Sequence, residues 1–214
     1  MKIPLFKRLR KRLHRDLALL QDEVVDIVYG ISQGAVLHGG TAIWRCYQGN
    51  RFSEDLDFYL KAGKNFRQEF SKRALSSGLE LRKFRQTANT IFSSVSNGVV
   101  EVRLELALRT AKNPVVRAYE KADGSHMDVF TLSPESLLLE KIDAYRNRKL
   151  VRDFYDIYFL NMKITERGAV KKGIRDLLAG GIGPVDEKNL RTLIYSGAIP
   201  SYGQMLNALG RPVK

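Results

Sequence analysis

Apolar residues at helical spacing open the chain. Leu5, Leu9, Leu13, Leu17, Leu20, Val24 and Ile27 recur at intervals of three and four, which predicts one amphipathic helix over 5–28 with Gly30 as its C-cap. The pattern then changes. Residues 34–38 form a short apolar run that breaks at Gly39-Gly40, as a buried strand would, and 42–47 read as a short helix. Gly49-Asn50 is a turn signal. Leu56-Asp57-Phe58-Tyr59-Leu60 alternates with period two and predicts a second strand. Residues 64–78 predict a helix with Phe66, Phe70 and Leu75 inward.

Segments 79–85, 89–95 and 99–109 alternate like strands, and Ser96-Asn97-Gly98 is a hairpin signal between the last two. In the third, Val100, Val102, Leu104, Leu106 and Leu108 share one face, and Glu101, Arg103, Glu105, Ala107 and Arg109 share the other. Residues 127–130 add a short strand. Ser133-Pro134 is a helix start, with Ser as N-cap and Pro in the first turn. The helical pattern runs from there to about residue 162, as two helices joined near 146–149. Residues 165–214 form a further helical region broken at Gly180-Gly181-Ile182-Gly183-Pro184. The expected fold is α/β (α+β): a small mixed sheet of about four to six strands flanked by helices. Residues 1–130 hold the sheet and the opening helix; 131–214 form a helical region.

Composition narrows the classes. Of 214 residues, 44% are hydrophobic and 28% charged, enough apolar material for a core and too much for a disordered chain. The single Cys46 excludes an intrachain disulfide framework and a cysteine zinc site. No apolar run approaches the ~20 residues of a membrane helix, and the basic N-terminus lacks a signal-peptide core, so a cytoplasmic protein without a membrane partner is expected. The 36 Lys plus Arg against 23 Asp plus Glu leave a net charge of +13. Such a balance favours polyanions: RNA, DNA or nucleotides. Lys7, Arg8, Arg10, Lys11, Arg12 and Arg15 crowd the first half of the opening helix, either as a solvated face or as a phosphate-contacting one.

The densest chemical signal lies between residues 39 and 57. Asp55-Leu56-Asp57 at the start of a strand puts both carboxylates on one face. Adjacent acids repel unless a cation lies between them, and hard oxygen donors suit Mg²⁺ or Mn²⁺. Upstream, Gly39 and Gly40 end a strand and open a helix, where bare N–H groups and the helix dipole attract phosphate; Thr41 adds a hydroxyl. Phosphate and metal sites side by side are the geometry of phosphoryl or nucleotidyl transfer.

Leu37-His38-Gly39-Gly40-Thr41-Ala42, followed by Arg51-Phe52-Ser53-Glu54-Asp55-Leu56-Asp57-Phe58, resembles the first motif of the AbiEii-type nucleotidyltransferases. These are the toxins of a class of toxin–antitoxin systems within the DNA-polymerase-β-like superfamily. Residues 132–142 are similar to the family's lysine-bearing helix, and Arg152-Asp153-Phe154-Tyr155-Asp156-Ile157 to its Arg-Asp-x-x-Asp helix. The resemblance covers roughly 35–160. It implies that Asp55 and Asp57 hold Mg²⁺ and that Gly39, Gly40 and Thr41 cradle the phosphates of an NTP. Lys141 would reach the triphosphate, and Asp156 would belong to the site, with Asp153 left to pair with Arg152 or Lys149. Arg51 would contact phosphate, and Ser53 a carboxylate or turn backbone. The superfamily's third carboxylate fits Glu105 or Glu101, each of which is equally read as a cross-strand partner of an arginine. The helices of 131–214 would complete the cleft.

The implied activity moves an NMP from an NTP to an acceptor, with RNA, tRNA ends in particular, favoured by charge, and with a cognate antitoxin restraining it. The alternatives are a nucleotide- or RNA-binding protein without turnover, and transfer to a small-molecule or protein acceptor.

Overall fold

A computed structural model describes residues 3–63, 65–166 and 168–211. The chain gathers into two units. One takes residues up to Gln48 together with Phe52–Thr131; the other takes Gly49–Arg51 together with the residues from Leu132 onward.

In the first unit the opening apolar stripe folds as two helices rather than one. α1 spans Leu5–Arg8 and α2 spans Arg12–Ile31, with Leu9 and Lys11 extended between them. The break changes the phase of the stripe, so Leu5 and Leu9 are buried while Leu13 is 55% exposed. Gly30 stays inside α2, which is capped instead by Ser32, whose N–H reaches the Val28 carbonyl.

β1 (Val36–His38), α3 (Gly39–Cys46) and β2 (Leu56–Tyr59) follow. α4 (Phe66–Ser76) buries Phe66, Phe70 and Ala74, an i, i+4, i+8 row, and leaves Leu75 facing solvent. Residue 64, where this helix was expected to begin, lies outside the described residues. β3 (Glu80–Gln86), β4 (Thr90–Ser96), β5 (Glu101–Ala107), β6 (Val115–Glu120) and β7 (His126–Thr131) complete a seven-stranded sheet in the order β3-β4-β5-β2-β1-β7-β6. β1 with β7 and β2 with β5 run parallel; the other neighbours are antiparallel. The seventh strand, β6, escapes the expectation of four to six. It lies at the sheet edge, and its first four residues show no in-out alternation.

A buried polar cluster ties these elements together. Arg45 of α3 donates to the carbonyls of Ala18 and Glu120 and to Asp22 Oδ1 at 3.1 Å. Asp22 also accepts from the Tyr119 hydroxyl and the Ala122 N–H. Burial pushes the Asp22 carboxyl up despite the opposing guanidinium.

The second unit is helical. α5 (Pro134–Arg148) starts at Ser133, whose Oγ accepts from the Ser136 N–H. It ends at Lys149 in the left-handed region, and α6 (Val151–Asn161) begins two residues later. α7 (Lys171–Ala179), a 3₁₀ turn at Glu187–Asn189, α8 (Leu190–Leu193) and α9 (Tyr202–Gly210) follow. The short segment 49–51 is bound into this unit. Arg51 bridges Ile194 in antiparallel fashion, the Tyr195 N–H donates to the Asn50 carbonyl, and the Tyr195 hydroxyl donates to that of Gly49. No helix among the described residues is long and apolar enough to cross a membrane.

Candidate active site

Strand pairing brings the acids of the first unit together. Asp57 of β2 is in register with Glu105 of β5, and pairing in register puts both side chains on the same face. That face is the open one, because Leu104 and Leu106 point into the core. Asp55, two residues before Asp57, shares the face. Asp55, Asp57, Glu101 and Glu105 line one cavity of about 530 Å³ together with Arg103.

Arg103 clamps Asp55, with Nε 2.8 Å and Nη2 3.2 Å from its carboxylate oxygens. The arginine is 69% exposed and the aspartate 34%. An exposed pair of this kind is worth about 0–1 kcal/mol.

Gly39 meets these acids from β1. It starts α3 with φ +70°, and a Cβ placed there would collide with the Asp57 carboxylate. Backbone therefore lies against the acid where any other residue would put a side chain. Thr41 is fully buried, and its hydroxyl donates to the Asp55 carbonyl at 2.6 Å. That bond fixes the main chain that carries the acids to the first turn of α3. Gly40 is buried as well. Ser53 is buried with its carbonyl accepting from Gln21, which also reaches the Glu54 carbonyl.

The donor set is all carboxylate oxygen, which suits a hard divalent cation. No three acidic, histidine or cysteine side chains among the described residues enclose one point. Mg²⁺ commonly binds through one or two carboxylates, completing its shell with water and substrate phosphate. Asp55 and Asp57 fit that mode.

The remaining motif residues form a cluster within the second unit. Lys141 of α5 lies 2.8 Å from Asp156 and 3.3 Å from Asp153, both on α6. Arg51 donates from Nε and Nη2 to the two oxygens of Asp156, both at 2.8 Å. It is almost wholly buried and clamps that carboxylate. Asp153 pairs with Arg148 and Lys141, where the sequence pointed to Arg152 or Lys149. Burial alone would push the Asp156 carboxyl up, but Arg51 and Lys141 together hold it below its ordinary value. Arg51 moves the other way: burial would lower it, and Asp156 holds it above its usual value. Asp156 lies 105 positions from Arg51, so only the tertiary fold reveals their pairing.

Four contributors escape the sequence reading. Arg103 appears there only as a partner for glutamates, yet it holds Asp55. Lys83, Arg85 and Phe92 extend the cavity beyond the acids. The signal for all four was the alternation of their strands, which puts them on the open face once the register is known.

A family model described as "Nucleotidyl transferase AbiEii toxin, Type IV TA system" matches residues 29–192. An uncharacterised protein of Aquifex aeolicus (strain VF5), aq_aa25, is 25% identical over 153 residues, covering 72% of this chain and 69% of that protein. Among solved structures, JHP933 from Helicobacter pylori superposes with a TM-score of 0.63 at 20% identity, over 94% of this chain and 90% of that one. MenT4, a nucleotidyltransferase toxin of Mycobacterium tuberculosis H37Rv, superposes with a TM-score of 0.56 at 21% identity, over 94% and 78% respectively.

Proposed function

Since this chain belongs to the AbiEii nucleotidyltransferase toxin family and is a nucleotidyltransferase, we propose that it transfers an NMP from an NTP to an RNA acceptor in a Mg²⁺-dependent reaction that releases pyrophosphate. The observation that carries this reading is the pairing of Asp57 with Glu105 on adjacent strands, beside Asp55 and the bare backbone of Gly39. Asp55 and Asp57 would hold a divalent metal, which would neutralise charge on the triphosphate and lower the pKa of the attacking hydroxyl. Glu105 is the third acid, turned to the same side. The Asp55–Arg103 pair is exposed and weak enough that a cation would displace it, and Gly39 presents backbone rather than a side chain beside the acids.

Lys141 is assigned to the leaving phosphates, where a compact ammonium offsets developing charge. Asp156 holds that ammonium in place, and Arg51 in turn holds Asp156. The net charge of +13 favours RNA as acceptor, tRNA ends included. A cognate antitoxin protein restrains the activity in the cytoplasm.

The test is direct. Purified protein is incubated with labelled NTP, total RNA and Mg²⁺, and label on RNA is read on a denaturing gel. Asp57→Asn is expected to keep the fold, seen as an unchanged circular-dichroism spectrum, and to lose label at least a thousandfold. Full transfer by that variant would remove the acid pair from catalysis.

A further inference from the structure

The rung that joins the acids continues outward across the sheet. Asp57 pairs with Glu105, Glu105 with Phe92, and Phe92 with Arg85. A parallel rung runs from Arg103 through Ser94 to Lys83. All of these residues line the same cavity as Asp55 and Asp57. Phe92 is 44% exposed although its neighbours Ile91 and Ser93 are buried, so its ring stands on the open face. Lys83 and Arg85 are exposed beside it. An aromatic ring flanked by cations is the arrangement that binds single-stranded nucleic acid: a base stacks on the ring and the backbone phosphates meet the cations.

Its position selects which nucleotide. Gly39 approaches Asp57 from β1, on one side of the acids; Phe92 lies on β4, beyond Glu105, on the other. Two strand spacings separate Phe92 from β2, roughly 10 Å. With the triphosphate on the Gly39 side, the far side is left for the strand whose terminal hydroxyl attacks.

We propose that Phe92, Lys83 and Arg85 form the acceptor subsite, taking a nucleotide near the end of a single-stranded RNA. The inference rests on the nucleotidyl-transfer reading above, and its test is read without turnover. Binding of a fluorescein-labelled short single-stranded RNA is followed by anisotropy in EDTA, with no NTP present, for the full chain and its variants. Phe92→Ala is expected to weaken binding roughly five- to a hundredfold, and Phe92→Trp to retain it. Because the ring is partly exposed, truncation leaves the core intact, which a thermal melt checks. Lys83→Gln with Arg85→Gln is expected to lower the slope of log affinity against log salt by about 1.4. A blunt RNA duplex, whose bases cannot splay onto the ring, is expected to show no dependence on Phe92.

Unchanged affinity and slope in these variants would overturn the proposal. So would loss of ATP binding by calorimetry with RNA binding intact, which would give the ring to the NTP base. If Asp57→Asn retains transfer while the Phe92 and cation effects appear, the RNA subsite stands and only the catalytic assignment falls.

Discussion

A single backbone angle governs the approach to the acids. Gly39 holds φ +70° with the Asp57 carboxylate where a Cβ would go. Gly39→Ala is therefore expected to lose about 1–3 kcal/mol through strain in the left-handed region and to displace Asp57. Chemical denaturation measures the first effect, and pyrophosphate release with NTP and RNA should fall in parallel. Asp156 offers a second test. Its carboxyl is held below the ordinary value, so its charge stabilises the folded state above about pH 4 and that contribution disappears as pH falls through the folded value. Asp156→Asn should flatten the acid side of a plot of urea midpoint against pH. Arg51→Ala, which leaves the buried Asp156 carboxylate to Lys141 alone, should cost about 1–3 kcal/mol at neutral pH. That Asp55 and Asp57 share a face was legible from their spacing. The work of Arg51 was not, because nothing local distinguishes a buried arginine clamp from an arginine that meets phosphate.

At the scale of elements, alternation and capping carried most of what the chain reveals in advance. β5 keeps a strict in-out pattern over Glu101–Ala107, and the Asn97-Gly98 turn before it has Gly98 at φ +84°. Ser133 caps α5 as its sequence suggests, and Ser133→Ala should lower stability by about 1 kcal/mol in urea unfolding. Misreadings arose where tertiary contacts override local periodicity. The stripe through Leu5, Leu9 and Leu13 is continuous on paper, yet the extended residues between α1 and α2 turn Leu13 outward. α4 chooses Ala74 over the larger Leu75, because the i+4 row from Phe66 and Phe70 points there. β6 was invisible because an edge strand needs no alternation to be paired.

Across the whole molecule, the excess of cations separates binding from chemistry. RNA affinity should fall steeply as salt rises and should survive EDTA, because it draws on counterion release. Transfer of label should stop in EDTA at any salt. A protein that bound RNA without turnover would show the first behaviour and never the second. One more property follows from the path of the backbone. Residues 49–51 belong with the C-terminal helices although the chain before and after them builds the sheet. The polypeptide is thus threaded like a stitch, and no single cut can free either part intact. A fragment ending at residue 131 carries Arg51 without its carboxylate, and a fragment starting at 132 leaves Asp156 without its guanidinium. Anyone dividing this enzyme for split-reporter or minimal-domain work should expect each piece alone to misbehave, and any regain of function on mixing to need the 49–51 segment seated again against Asp156, Ile194 and Tyr195.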